Sequence, residues 1–336
     1  MFVSILIPVY NAASHLASCW ATLEAQTMTD FEAVFVNDGS TDATEALLQE
    51  KVSQEPRFRL VSQTNQGVSA ARNAALAVAQ GDYIAFMDVD DTLAPDFLEQ
   101  LVTAARKYDC DVVFSGFQRE LQGQWYAEVP QLPLHTRLDT AQIRQEVWPA
   151  YLRSNRLNSV CNKLFARALV QSIRFPVGQA LGEDGVFGRQ VVSEAQSLVV
   201  LDYCGYYYRE VVGSATRNLL KHDYFQAALQ DYATPTGWES IPNYTALQSE
   251  KFLRQVMMCL GLYTKKANGL SWWAQWRTLR KLAHHSAVQQ ALLEVPESFL
   301  AGQSRFYQTI LTLLKKKQVT FLFLALRYSH YKNKTK

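Results

Sequence analysis

The chain has 336 residues, 48% of them apolar and 19% charged, and a formal net charge of +2 at pH 7. That length suits one large α/β domain with a helical appendage, and the near-neutral balance argues against a nucleic-acid binder. Five scattered cysteines with no C-x-x-C pair argue against a disulfide framework and a zinc site and favour a reducing compartment. Phe2 to Val9 is a near-continuous apolar run, as in a strand buried on both faces of a parallel sheet. Pro8, Tyr10 and Asn11 interrupt it too soon for a signal peptide, and no later stretch approaches the ~20 apolar residues that span a bilayer.

Asn11 or Ser14 is expected to cap a helix running to about Gln26. Phe31 to Val36 reads as a second strand. It runs into Asn37-Asp38-Gly39-Ser40-Thr41-Asp42, where Thr41 or Asp42 caps a helix to about Gln54. A weaker strand, Arg59 to Ser62, precedes Asn65-Gln66-Gly67-Val68-Ser69 and an alanine-rich helix with Arg72 and Asn73. Ile84 to Met87 is the fourth strand and delivers Asp88, Asp90 and Asp91. Pro95 fits the first turn of the next helix, and Asp111 to Ser115 is the fifth strand. Alternating strands and helices with short connections predict a doubly wound, mostly parallel sheet.

That topology gathers Pro8 to Asn11, Asn37 to Asp42, and Asp88 to Asp91 at one sheet edge, where such folds bind ligands. Three carboxylates within four residues repel one another unless a cation is present, and hard oxygens suit Mg²⁺ or Mn²⁺ holding substrate phosphates. A solvated acidic turn would carry the same residues. Neither G-x-G-x-x-G after the first strand nor G-x-x-x-x-G-K-[ST] occurs, which removes the two commonest nucleotide motifs.

S-I-L-I-P-V-Y-N, V-N-D-G-S-T-D, N-Q-G-V-S-A-A-R-N and M-D-V-D-D, in this order and spacing, resemble family 2 glycosyltransferases. The resemblance is close over about 115 residues and thinner to about Arg217. It implies a GT-A nucleotide-diphospho-sugar fold, with Pro8, Tyr10, Asn11, Asp38, Arg72, Asp88 and Asp90 at the nucleotide. It also implies Asp90 and Asp91 at Mn²⁺ or Mg²⁺, with Asp91 the direct ligand. Asn37 departs from the family's D-D-G-S-T-D.

Residues 116 to 157 read as an acceptor-facing insert with Trp125, Tyr126 and a polar helix around Thr140 to Arg153. Val160-Cys161-Asn162-Lys163-Leu164-Phe165 and Gly182-Glu183-Asp184-Gly185-Val186-Phe187 resemble the second half of bacterial surface-polysaccharide enzymes of this family. That carries the catalytic base to Asp184, with Glu183 the alternative. A hydroxyl nucleophile needs such a base, and adjacent carboxylates raise each other's pKa. Capping of the helix that begins at Val186 is the other use of these residues. Ser197 to Tyr208 reads as two strands, followed by Arg209 and Arg217, whose guanidinium forks suit a departing diphosphate. His222 stays outside the metal set.

Beyond about Leu219 long helical stretches take over: Tyr244 to Lys266, Ser271 to Leu282, and Ser304 to Tyr328. Trp272 and Trp276 share a face, and after Glu297 there is no acidic residue. A basic helix with an apolar face suits the anionic inner leaflet. The expected organisation is a catalytic domain over 1–218, with a nucleotide half 1–115 and an acceptor half 116–218. A helical region with a basic tail follows over 219–336. The expected activity is inverting, metal-dependent transfer from a UDP-sugar to a glycan or lipid-linked acceptor. It would occur in the cytoplasm or at the inner face of the membrane. A sugar-phosphate nucleotidyltransferase and a non-catalytic polysaccharide- or membrane-binding scaffold are the alternatives.

Overall fold

The N-terminal apolar run forms β1 (Val3–Val9), buried throughout except for the half-buried Pro8. The computed structural model describes residues 2–179, 181–209, 223–265 and 269–332. Arg217 and His222 lie outside the described residues. The chain forms two units, Met1–Tyr151 with Arg156–Ser214, and Leu152–Asn155 with Ala215–Lys336.

Along the first stretch come α1 (Leu16–Glu24), β2 (Phe31–Asp38), α2 (Thr44–Gln54), β3 (Phe58–Gln63), α3 (Val68–Val78), β4 (Tyr83–Phe86), β5 (Thr92–Leu93) and α4 (Phe97–Tyr108). They are followed by β6 (Val112–Phe114), β7 (Phe117–Leu121), β8 (Gln124–Glu128), β9 (Leu138–Asp139), α5 (Thr140–Gln142), a π-helical turn (Ile143–Val147) and α6 (Trp148–Arg153). Then come β10 (Lys163–Ala166), α7 (Arg167–Val170), α8 (Glu183–Glu194), β11 (Ser197–Val200) and β12 (Tyr206–Tyr208).

The main sheet has the order β3-β2-β1-β4-β10-β6-β11-β9. β1, β2, β3 and β4 run parallel, as do β6 and β11, while β10 is antiparallel to β4 and β6. Register pairs Val9 with Asn37 and Leu6 with Phe86, so β1, β2 and β4 all end at one edge. A second sheet, β5-β12-β7-β8, holds part of the expected insert as a hairpin. Gln122 and Gly123 turn it with φ of 53° and 78°, the left-handed pair that a two-residue hairpin requires.

The helix starts differ from expectation. α1 begins at Leu16 with no side-chain cap. Asn11 has a φ of 47°, and its Oδ1 accepts from the Thr41 N–H at 2.7 Å, so it ties two loops together instead of capping. The helix expected at Thr140 to Arg153 has a π turn in its middle.

In the second unit lie α9 (Tyr224–Ala233), α10 (Tyr244–Tyr263), α11 (Trp272–His284), α12 (Ser286–Glu294), α13 (Glu297–Ala301), α14 (Arg305–Lys315) and α15 (Val319–Lys332). Side chains of Asp223, Ser271 and Ser304 cap α9, α11 and α14. The core here includes Phe252, Val256 and Leu260 of α10, Leu279 of α11 and Val288 of α12. The single helix expected over 304–328 is two, broken where Lys317 takes a φ of 54°.

Glu32 shows how a charge survives inside β2. It is buried, and accepts from Ser4 Oγ at 2.5 Å, Gln80 N at 2.7 Å and Arg59 Nη1 at 2.7 Å. Burial pushes its pKa up, but the hydrogen bonds from Ser4, Arg59 and Gln80 outweigh it and leave the carboxyl below its ordinary value. Stability from this group is therefore present above the unfolded carboxyl's pKa and lost as pH falls through the folded one. Glu32→Gln should cost roughly 1.5–3 kcal/mol at neutral pH in urea denaturation. The gap from wild type should close in acid.

Candidate active site

The loops after β1 and β2 are stitched together. Besides the Asn11–Thr41 bond, Asn11 N–H donates to Ser40 Oγ at 2.9 Å and Ala12 N–H to Thr44 Oγ1 at 2.9 Å. Asp38 is buried and accepts from Gln63 Nε2 at 2.7 Å and from the N–H groups of Gln66 at 2.9 Å and Gly67 at 2.8 Å. It fixes the turn into α3, which Gly67 enters with a φ of 89° that disfavours any other residue. Tyr10 is exposed and Pro8 half-buried beside this edge.

α3 carries the centre of the site. The buried Arg72 donates through Nη1 to Asp184 Oδ1 at 2.6 Å and Glu183 Oε1 at 3.2 Å, and through Nη2 to Asp88 Oδ1 at 3.0 Å. The expected base and its neighbour, at the start of α8, thus meet the first carboxylate after β4 on one guanidinium. Arg72 lies 5.3 Å over the Phe175 ring, which stacks on Phe187 at 4.0 Å. Arg72 Nε and Ser69 Oγ, on the same side of α3, are buried polar atoms without a partner among the described residues. Natural structures leave few such atoms, and a ligand is one way to satisfy them.

Asn73, which the sequence placed beside Arg72 without a role, ties two segments together. Its Nδ2 donates to Phe175 O at 2.9 Å and its Oδ1 accepts from Phe175 N at 2.8 Å. The Arg-Asn pair therefore grips this stretch twice: Asn73 fixes Phe175 ahead of α8, and Arg72 fixes Glu183 and Asp184 at its start.

The three carboxylates of the acidic cluster differ in their surroundings. Asp91 is 1% exposed, its Oδ2 accepts from Tyr206 OH at 2.5 Å, and its Oδ1 accepts from Arg209 N–H at 3.0 Å. Tyr206 OH in turn accepts from Asp88 N–H at 3.2 Å. Each Asp91 oxygen thus accepts one hydrogen bond from the fold, which leaves a lone pair on each. Burial, then Asp88 and Asp90, push its carboxyl well up. Tyr206 was missed because its partner lies 115 positions away. Asp88 and Asp90 are half-buried, and no other described residue hydrogen-bonds the Asp90 carboxylate. Burial and the charge of Asp88 raise the Asp90 pKa.

Two hard carboxylates under mutual repulsion fit Mg²⁺ or Mn²⁺, which commonly take one or two protein carboxylates and complete their shell with water and phosphate. Among the described residues no group of three or more His, Cys, Asp or Glu forms an all-protein cage. At the other end of the guanidinium, burial, opposed by Arg72 and aided by Glu183 and Asp88, raises the Asp184 carboxyl to about 7. That value suits a group that must accept a proton near neutral pH. Arg209 reaches the cluster through its backbone, and Trp125 meets Tyr207 edge-to-face at 5.4 Å on the second sheet.

The sequence model of Glycosyl transferase family 2 matches residues 4–173. The glycosyltransferase GlyA of Streptococcus pneumoniae serotype 4 is 31% identical over 219 residues, 64% of this chain and 31% of GlyA. EpsH of Bacillus subtilis is 30% identical over 246 residues, 69% of this chain and 67% of EpsH. The chain thus spans about a third of the first relative and two thirds of the second. Among solved structures, Staphylococcus aureus TarS 1–349 in complex with UDP-GlcNAc superposes with a TM-score of 0.65 at 20% identity. That match covers 99% of this chain and 92% of TarS 1–349 and is a likeness of fold.

Removing Arg72 would leave Asp88, Glu183 and Asp184 facing one another uncompensated. Arg72→Ala should destabilise the protein by about 3–5 kcal/mol in urea denaturation. Asn73→Ala, which loses two hydrogen bonds, should cost about 1–3 kcal/mol.

Proposed function

We propose that this chain, which belongs to glycosyltransferase family 2 and has the GT-A fold, moves a sugar from a nucleotide-diphospho-sugar to a hydroxyl of a glycan or lipid-linked acceptor. The observation that carries the reading is the Arg72 guanidinium, which holds the donor-side Asp88 and the candidate base Asp184 together. A hexose or N-acetylhexosamine on UDP is the donor we favour, by analogy with the UDP-GlcNAc held by TarS. Assembly of a bacterial surface polysaccharide is the setting we favour. The catalytic part would be residues 1–218, with the nucleoside at 1–115 and the acceptor at 116–218.

Pro8, Tyr10 and Asn11 line the nucleoside end, and Asp38, buried beneath the turn into α3, supports it from within. Asp88 and Asp90 would hold Mn²⁺ or Mg²⁺, which when bound neutralises the leaving diphosphate. Asp91, tied by Tyr206 and the Arg209 backbone, keeps that pair in place. The Arg209 side chain supplies positive charge on the diphosphate side. Asp184 takes the proton of the acceptor hydroxyl, whose oxygen attacks the anomeric carbon as the bond to the diphosphate breaks, inverting that centre. Arg72 spends its Nη atoms on carboxylates, so we assign it to aiming Asp184 and Asp88 more than to direct nucleotide contact. Glu183 shares Arg72 and is the weaker candidate for the base. A lipid-linked acceptor would be met at a membrane surface, and we place a contact there on the basic C-terminal region.

Asp184→Asn should lower kcat by about 10²–10⁴-fold while nucleotide binding persists. Because only the carboxylate accepts a proton, wild-type kcat should rise with pH up to about 7 and then level. Calorimetry against UDP, GDP, CMP and dTDP, with and without Mn²⁺, should find metal-dependent binding of one nucleotide. Asp90→Ala should abolish it. A folded protein that binds none of them would overturn the transferase reading in favour of a scaffold.

A further inference from the structure

The net charge conceals a division. Residues 251–336 carry 15 Lys and Arg against two acidic residues, Glu294 and Glu297, a formal +13. Residues 1–250 carry 18 basic against 29 acidic residues, a formal −11. The basic segment contains α11, α14 and α15, and α15 breaks the usual pattern of a surface helix. Val319, Leu322, Phe323 and Leu326 form its buried stripe. The opposite side of such a helix is normally polar. Here Phe321, Leu324 and Tyr328 are 62%, 57% and 67% exposed. Spacings of three and four residues put them on one stripe, opposite the buried one.

The neighbouring helix extends the apolar surface. Trp272 and Trp273, at the start of α11, are 66% and 73% exposed. Trp272 meets Phe323 edge-to-face at 6.4 Å, and the Arg327 guanidinium lies 4.5 Å over its ring. Lys315, Lys316 and Lys317, all exposed, immediately precede α15. Large aromatics, aliphatics and cations thus share one region of the second unit, with no acidic side chain on α11, α14 or α15.

We propose that this face of α11 and α15 docks on an anionic lipid bilayer. The proposal deepens the membrane contact suggested above and does not depend on the sugar-transfer chemistry. Among the described residues no helix is long and apolar enough to cross a membrane, and α15 has 14 residues, so the helix lies in the interface. Trp272, Trp273 and Tyr328 sit at headgroup depth, where amphipathic rings concentrate. Phe321 and Leu324 enter the acyl boundary, and the lysines meet lipid phosphates. A second copy of the chain is the competing occupant. Pairing through the same face would bring two +13 segments together, whereas an anionic surface neutralises them.

The test is flotation of the full chain with phosphatidylcholine vesicles made with and without phosphatidylglycerol, over a salt series. Wild type should float with the anionic vesicles only, and less as salt rises. Replacing Lys315, Lys316 and Lys317 with Gln should weaken partitioning roughly a hundredfold, from about 1 kcal/mol per lysine. Phe321→Ser with Leu324→Ser should weaken it at least about tenfold. Both variants should bind nucleotide as wild type does. Flotation indifferent to anionic lipid, or variants that float like wild type, would overturn the proposal. So would a concentration-dependent dimer in sedimentation that the Phe321→Ser/Leu324→Ser variant abolishes. A wild type that floats yet binds no nucleotide would sink the transferase reading alone.

Discussion

One guanidinium organises this site. Arg72 is buried, permanently charged and shared among Asp88, Glu183 and Asp184. An arginine suits the position where a lysine would not, because its planar fork offers separate donors in fixed directions to carboxylates from different elements. Three carboxylates against one cation leave an excess of negative charge, which is the condition under which a further cation and a raised base pKa both become favourable. The hydrogen bonds of Asn73, the stacked Phe175 and Phe187 rings, and the Tyr206–Asp91 pair all hold that arrangement rigid. The electrostatics and the packing are two aspects of one constraint.

Much of this was written locally in the chain. The apolar runs that became β1, β2 and β4 and the loops that close them were legible because strands and turns are short-range features. The acidic cluster stood out as three carboxylates within four residues, whereas the Glu183-Asp184 pair was picked out by the family resemblance of its segment. What the sequence hid was pairing at a distance. Arg72 and Asp184 are separated by 112 positions, and nothing in either neighbourhood names the other. β10 was hidden for another reason: four residues inside a mixed segment carry too little periodicity to reveal a strand, still less an antiparallel one.

Asp90 and Asp91 show the limit most sharply. They are adjacent and chemically identical, yet one is half-buried with no neighbouring donor on its carboxylate and the other is sealed beneath Tyr206. Neighbouring residues leaving a strand point in different directions, and a letter code does not carry direction. The second unit repeats the lesson. Helical periodicity found its long helices, but the break at Lys317 and the two-sided apolar character of α15 emerge only when burial is known.

The β7–β8 hairpin has a consequence for how such a protein could diversify. β8 is the outer edge of the second sheet and largely exposed. Its partner β7 lies beside β12, whose Tyr206 braces the acidic cluster. Insertions or exchanges at the tip can therefore reshape the surface beyond β7 while the inner strands keep the acidic cluster unchanged. The architecture separates an inner part held by many contacts from an outer turn at the sheet edge that can change with little effect on it.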